Sequence, residues 1–314
     1  MDLTQLRGLV AVPGPFVSVY LDGAEPHWAD VRATLAEQGA DARTLSSVDN
    51  ALADELDGAG RALIASAGEV LLDRRLPEPP AQPLARWSAL PYLTPLLARA
   101  DADLPHVVVF GDEVLGFDSD GTLVEKIKQD NAVALAESAD RMARRLSARL
   151  LVLTGEVQAR TAVRMALPEN SAAIAEELPD ADWSTVDGAV HKLIAQRADA
   201  LGHNAADRFR VALGRGGIDV ARGLRAVVSA LREGRADTVL LDGDATADRT
   251  IWIGAEPTQI AVDEAELRAL GVPHLARERA DSALVMAAVA SGAALHLVTA
   301  DPDLLEGVGA LLRP

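Results

Sequence analysis

Acidic side chains follow three of the apolar runs in this sequence. Asp112 and Glu113 come after residues 105–110, Glu156 after 150–153, and Asp242 and Asp244 after 238–241. A carboxylate at the carboxyl end of a strand is where α/β enzymes hold a general acid or base. The same places are turns, where Asp is common for local reasons alone. Were the chain a hydrolase, Asp112, Glu113 and Glu156 would be its acid–base groups. Other chemistry has less footing. There is no cysteine, which excludes disulfides, thiolate metal sites and a thiol nucleophile. The six histidines, at 27, 106, 191, 203, 274 and 296, show no pair at metal-ligand spacing. No Gly-x-Ser-x-Gly elbow occurs. Gly214-Arg-Gly-Gly217 precedes a helical pattern but lacks the Lys-Ser/Thr of a phosphate-binding loop. No metal or cofactor is expected.

Basic residues gather twice. Residues 208–235 hold seven arginines (208, 210, 215, 222, 225, 232 and 235) against two acids. Residues 121–150 hold Lys126, Lys128, Arg141, Arg144, Arg145 and Arg149 against four acids. Arg208, Arg210, Arg215, Arg222, Arg225 and Arg232, with Lys126, Lys128, Arg141, Arg144 and Arg145, are the candidates for contact with phosphate or a partner. The alternative is a solvated surface paired with acids from elsewhere in the chain.

These residues need elements to position them. Strands are expected over 17–21, 61–65 and 69–73, the last two joined by a tight Ala-Gly turn, with helices around 28–37 and 48–56. Four prolines within 76–83 force an extended crossing there. A second strand pair, 105–110 and 114–117, leads through 118–121 into a helix over 131–148. Leu135, Ala139, Met142 and Leu146 share one face of that helix. A buried strand follows at 150–153. Residues 188–209 read as helix. A second helix, with the stripe Val220, Leu224, Val227, Val228 and Leu231, places Arg222, Arg225 and Arg232 on its far side. Strands are expected over 238–241, 251–253, 259–262 and 295–298, with helices over 263–270 and from Ser282 to 290. Strands alternating with helices make the class α/β. Three consecutive α/β domains are expected, over 1–100, 104–182 and 185–314.

Composition sets the remaining bounds. Of 314 residues 49% are hydrophobic and 25% charged, enough apolar content for more than one core. The net charge of -17 opposes broad binding to polyphosphate, DNA included, while allowing a local basic face. No leader or membrane-length apolar run is evident, so a cytoplasmic protein is expected.

The segment Leu305-Glu-Gly-Val-Gly-Ala-Leu-Leu-Arg-Pro314 resembles the tail of the archaeal and eukaryotic release-factor/Pelota superfamily. Residues 216–241 resemble that superfamily's third domain. Residues 8–22, 60–65 and 153–160 resemble an actinobacterial branch related to the ribosome hibernation factor Balon. The likeness spans essentially the whole chain, in short motifs. It implies middle and carboxy-terminal domains of release-factor/Pelota type. It also implies a role in translation regulation, stress or dormancy, with the ribosome (rRNA) or a translation GTPase as partner. The departures matter as much. Release factors carry a Gly-Gly-Gln tripeptide on a middle-domain loop, and no Gly-Gly-Gln occurs here. That loop belongs between the strand at 114–117 and the helix at 131, where residues 122–129 read as strand and helix entry. The codon-reading Asn-Ile-Lys-Ser is also absent. The resemblance therefore implies a non-catalytic protein. An interaction module that has left the ribosome is the second expectation, and a hydrolase the third.

Overall fold

The computed structural model describes residues 6–22, 28–53, 60–76, 79–80, 82–99, 104–118 and 121–313. The protein is mixed α/β, with four sheets among the described residues. It packs as two compact units, one built from residues 3–99 with 202–314 and the other from residues 100–201.

The first unit opens with helix α1 (Arg7–Val10), strand β1 (Phe16–Asp22) and helices α2 (Trp28–Glu37) and α3 (Ala42–Ala53). Strands β2 (Gly60–Ser66), β3 (Glu69–Leu76) and β4 (Leu84–Ser88) and helix α4 (Thr94–Arg99) follow. The sheet runs β3-β2-β1-β4, antiparallel throughout. Alternation along β1 gives it two faces. Val17, Val19 and Leu21 pack with Leu35, Leu45 and Val48. Ser18 and Tyr20 point the other way and hold the 89–94 segment. Ser18 Oγ accepts the Tyr92 N–H at 3.0 Å, and the Tyr20 hydroxyl donates to the Tyr92 carbonyl at 2.5 Å. The expected Ala-Gly turn joins β2 to β3. Ala67 and Gly68 have φ of 51° and 83°, both positive, as a two-residue hairpin with native twist requires. Of the proline-rich crossing, residues 77, 78 and 81 lie outside the described residues.

Residues 100–201 form the second unit. Its elements are β5 (His106–Phe110), β6 (Glu113–Phe117), β7 (Leu123–Lys128), α5 (Ala132–Leu146), β8 (Leu150–Leu153), α6 (Val157–Ala166), α7 (Glu169–Ala172), β9 (Ala175–Glu177) and the start of α8 (Trp183–Gly214). The strand order is β7-β6-β5-β8-β9. β5, β6 and β7 pair antiparallel, whereas β8 and β9 join in parallel. The apolar runs of β5 and β8 are covered on both faces, as strands in a two-sided sheet must be. Val107, Val109, Leu151 and Leu153 pack with Met142 of α5 and Val163 of α6. Val108 and Val152 pack with Val186, Val190 and Ile194 of α8. Asn131 begins α5, its Oδ1 accepting the Ala134 N–H at 2.9 Å.

Residues 202–314 return to the first unit with the end of α8. Then come β10 (Val220–Arg222), α9 (Leu224–Arg232), β11 (Ala236–Leu241), α10 (Gly243–Thr246), β12 (Thr250–Ile253), β13 (Ile260–Ala261), α11 (Glu264–Ala269), β14 (Ala276–Arg279), α12 (Ala280–Ser291), β15 (Ala294–Leu297) and β16 (Val308–Leu312). Two sheets form, β10-β16-β11-β15 and β13-β12-β14. Residues 280–289 of α12 are all buried, and beyond Asp281 and Ser282 they are apolar on every side, as befits a helix enclosed by its unit. β16 lies inside its sheet, between β10 and β11. The glycine before it and the glycine within it have separate reasons. Gly307 sits at φ 76°, and a Cβ on Gly309 would stand 2.7 Å from Phe209 Cζ, so Gly309 admits that ring to the core.

Two expectations are corrected. Residues 220–222 are strand, paired with β16, and Gly223 at φ 85° separates them from α9, so Arg222 is not on the helix with Arg225 and Arg232. Ser282 does not cap α12: the helix starts at Ala280, and the Asp281 carboxylate takes the Ser282 N–H at 2.7 Å. The division expected near 183–185 falls at the start of α8, whose first half packs in the second unit and whose Ala205, Ala206 and Phe209 pack in the first. The packing also groups residues 3–99 with 202–314. The break expected near residue 100 lies outside the described residues. Among the described residues, no helix is long and apolar enough to cross a membrane.

Candidate functional site

The middle sheet is where the resemblance places the hydrolytic loop, and its geometry there is closed. β7 pairs with β6 along its length. After β6, the Asp118 N–H donates to the Thr122 carbonyl at 3.1 Å and the Thr122 N–H to Asp118 Oδ1 at 2.9 Å. Residues 119 and 120 lie outside the described residues. After β7, the Gln129 N–H donates to the Asp112 carbonyl at 2.8 Å and its side-chain amide to Ser138 Oγ at 3.1 Å. Asn131 then starts α5. The stretch expected to be strand and helix entry is one edge strand lying flat on the sheet.

The basic residues of this unit are mostly consumed by its own acids. Lys126 pairs with Glu113 at 2.7 Å, and Lys128 reaches Glu113 at 3.3 Å and Asp112 at 3.7 Å. The Lys126 bond holds the Glu113 carboxyl below the usual carboxylate range, and Glu113 in turn holds the Lys128 ammonium above its own. Arg141 approaches Glu137 at 3.8 Å, Arg144 bonds Asp140 at 2.5 Å, and Arg145 pairs with Glu125. Two of the acid–base candidates, Asp112 and Glu113, are thus counter-ions. Glu156 is exposed at the start of α6.

In the other unit the pattern repeats. Arg210 bridges Asp207, Asp301 and Asp303 at 2.6, 2.7 and 3.1 Å, and the charge of Asp301 raises its pKa further. It ties α8 to the segment between β15 and β16. Arg222 Nε donates to the Asp303 carbonyl at 2.7 Å. Arg225 bonds Glu266 at 2.5 Å and Asp263 at 2.6 Å, and Arg232 reaches Glu266 at 3.1 Å. Arg208 and Arg215 are exposed, with no partner among the described residues. They are the candidates from this cluster that remain open to a foreign phosphate.

The remaining motifs resolve into structure. Gly216 and Gly217 have φ of 109° and 69°, and the Gly217 N–H returns to the Ala212 carbonyl at 3.2 Å, which closes the end of α8. Asp242 caps α10, accepting from the Asp244 and Ala245 N–H groups, and pins Ala300 at 3.0 Å. His106 stacks on Phe117 at 4.7 Å between ring centroids, and burial pushes its pKa down. Among the described residues no three His, Asp or Glu side chains are placed to hold a metal ion.

One polar assembly has no sequence signal at all. The Arg86 guanidinium lies 4.2 Å over the Tyr92 ring and that of Arg279 lies 5.1 Å from it. Arg279 is clamped by the fully buried Asp281 at 3.0 and 2.6 Å. Burial pushes the Arg86 guanidinium below its ordinary pKa and the Tyr92 phenol above its own. Nearly two hundred residues separate Arg86 from Arg279, so no local pattern could have joined them. Beside this seam is an apolar cleft of ≈ 380 Å³ between Val12, Phe16, Leu90, Ile253, Leu275 and Met286.

Comparison with known proteins decides the family. The family model described as bacterial archaeo-eukaryotic release factor family 2 matches residues 118–215. Uncharacterized protein Rv2629 of Mycobacterium tuberculosis is 31% identical over 365 aligned positions, covering 100% of this chain and 97% of its own length. The chain belongs to the same family as this mycobacterial protein, and its residues 118–215 carry the release-factor match. A second Mycobacterium tuberculosis sequence, Uncharacterized protein MT2704 of strain CDC 1551, matches equally. Among solved structures, Pelota of Archaeoglobus fulgidus is similar at 13% identity over 99% of this chain and 91% of that one, with a TM-score of 0.33. The archaeal termination factor aRF1 is similar at 16% identity over 99% and 96%, with a TM-score of 0.25. Among its described residues, the matched segment has a flat edge strand where the resemblance places the tripeptide loop.

Proposed function

We propose that this release-factor-like protein works in translation without catalysis, in association with the ribosome or a translation GTPase. In this reading it acts in regulation or hibernation, close to the Balon-related branch. One observation carries the reading. The release-factor model matches residues 118–215, yet the described residues between β6 and α5 lie flat on their sheet and the chain holds no Gly-Gly-Gln. A factor without an arm cannot place a water at a distant ester, so occupancy rather than hydrolysis is what it has to offer. The open cations Arg208 and Arg215 are its phosphate contacts. The test is co-sedimentation with 70S ribosomes at low salt, in growing and in starved cells. Binding that weakens on Arg208→Glu with Arg215→Glu is the expected result, alongside no release of peptide from peptidyl-tRNA. Failure to co-sediment in either state, or measurable peptide release, defeats the proposal.

The acid-paired arginines favour a second reading, a protein-interaction module. With 47 acids against 30 bases, the chain's surplus charge is negative. A partner chosen by charge would then be a basic protein rather than RNA.

A further inference from the structure

Helix α6 presents an outward face with no charge on it. Val157, Thr161 and Met165 follow one another at single-turn intervals, with Gln158 and Ala162 beside them. All five are exposed, Val157 by 66% and Met165 by 83%. At about 100° per residue this face lies opposite Val163, which is 4% exposed and packs in the core. The two charged residues of α6 turn aside. Arg160 donates to the Leu178 carbonyl at 2.6 Å and Arg164 to the Ala175 carbonyl at 3.1 Å, both near Glu177. The helix is therefore fixed by its inner face and flanks, and its outer face serves nothing in its own unit. Exposed carboxylates stand at both ends: Glu156 at the start of α6, and Glu169, which opens α7 just beyond it. Neither has a side-chain partner among the described residues.

We infer that this face docks a partner-protein segment, an amphipathic helix apolar at its centre and basic at both ends. Single exposed apolar residues are ordinary, whereas grouped exposed apolar surface marks an interaction site, and Val157, Ala162 and Met165 lie together on this uncharged face. The flanking carboxylates and the net charge of -17 select a basic partner and repel an acidic one. α6 is about 15 Å long, the length of one short helix lying alongside. The inference stands apart from the translation reading, since it names a surface that neither phosphate contact nor the missing tripeptide uses.

The test uses the full chain and two synthetic amphipathic helices with the same Leu/Val face, one ended by lysines and the other by glutamates. Titration with fluorescence anisotropy should show binding of the lysine-ended peptide, with the glutamate-ended twin weaker by about tenfold or more. Met165→Glu should weaken the lysine-ended peptide by about tenfold, the effect of losing one packed anchor, and Glu156→Lys with Glu169→Lys should reverse the preference. Ile218→Glu, at an equally exposed apolar residue outside this face, should change nothing, and all variants should keep the parent's circular dichroism and melting temperature. Equal binding of the twins, or binding indifferent to Met165→Glu, overturns the inference. So does a concentration-dependent dimer abolished by Met165→Glu, which would make a second copy the occupant.

Discussion

Helices α9 and α6 each lie on a sheet by one apolar face, yet their outer surfaces are opposite in kind. α9 turns Arg225 and Arg232 outward, and both are held by Glu266, Arg225 also by Asp263. α6 keeps its arginines at its flanks and shows Val157, Thr161 and Met165 to solvent. The face that looks basic in the sequence is already engaged, and the one that looks featureless is free. A count of arginines measures potential for anion binding only after the nearby carboxylates have been subtracted. Coulombic attraction falls off with distance, so a carboxylate in contact claims a guanidinium before a phosphate arriving from bulk.

The most forceful way to break this contrast is to exchange inside and outside on α6. Val163→Asp, placing a carboxylate in the core, should cost about 3 kcal/mol or more, whereas Met165→Asp two residues along should stay within about 0.5 kcal/mol. Urea unfolding of both variants decides it, and equal losses would mean that α6 does not lie as described. Next in size is Arg210. Arg210→Ala strands the Asp301 carboxylate, which is only 6% exposed, and should cost about 1–2 kcal/mol, discounted because Arg210 itself is half exposed. Arg208→Ala, on the same helix with no partner among the described residues, should be silent in the same melts. Smaller again is the Arg225–Glu266 pair. A double-mutant cycle should give a coupling weaker than the Arg210 effect, and one that fades in high salt.

The mildest lever is acid, and it separates the two regions by pH. Burial depresses the folded-state pKa of His106, so below an unfolded value of about 6.5 the unfolded chain binds the proton and the α6 unit loses stability. Near α9, bonds from Ser229 and Arg235 depress Glu233. Its contribution is complete above the ordinary carboxylate range and is lost only as pH falls through the lowered folded value. Melts across pH 7 to 4 should therefore show the α6 unit weakening first. His106→Phe should flatten its early decline, and a decline unchanged in that variant would clear His106 of the effect.

Local pattern carried much of the fold. The stripe Leu135, Ala139, Met142 and Leu146 gave α5, and Ala67-Gly68 gave the β2–β3 hairpin. Gly307 and Gly309 entered only as part of the tail resemblance, and only packing shows that the second glycine makes room for Phe209. Residues 220–222 misled because Val220 and Leu224 share a helical spacing, while Gly223 between them adopts a backbone that ends it. The candidate site was less legible. Lys126 and Arg225 could be read as basic, but their partners Glu113 and Glu266 lie 13 and 41 positions away. Pairing across a sheet or between helices leaves no trace in local composition. Val157 and Met165 drew no notice because exposure, not identity, makes them informative.

The Arg86–Tyr92–Arg279 seam sets a schedule for synthesis. Residues 3–99 leave the ribosome first, but Arg279 and the buried α12 against which they pack come only after the whole of residues 100–201. At bacterial elongation rates that delay is on the order of ten to forty seconds. Throughout it the nascent amino-terminal sheet waits with the Tyr92 side uncovered, a window in which a chaperone, or a neighbouring nascent chain, meets a surface the finished molecule never shows.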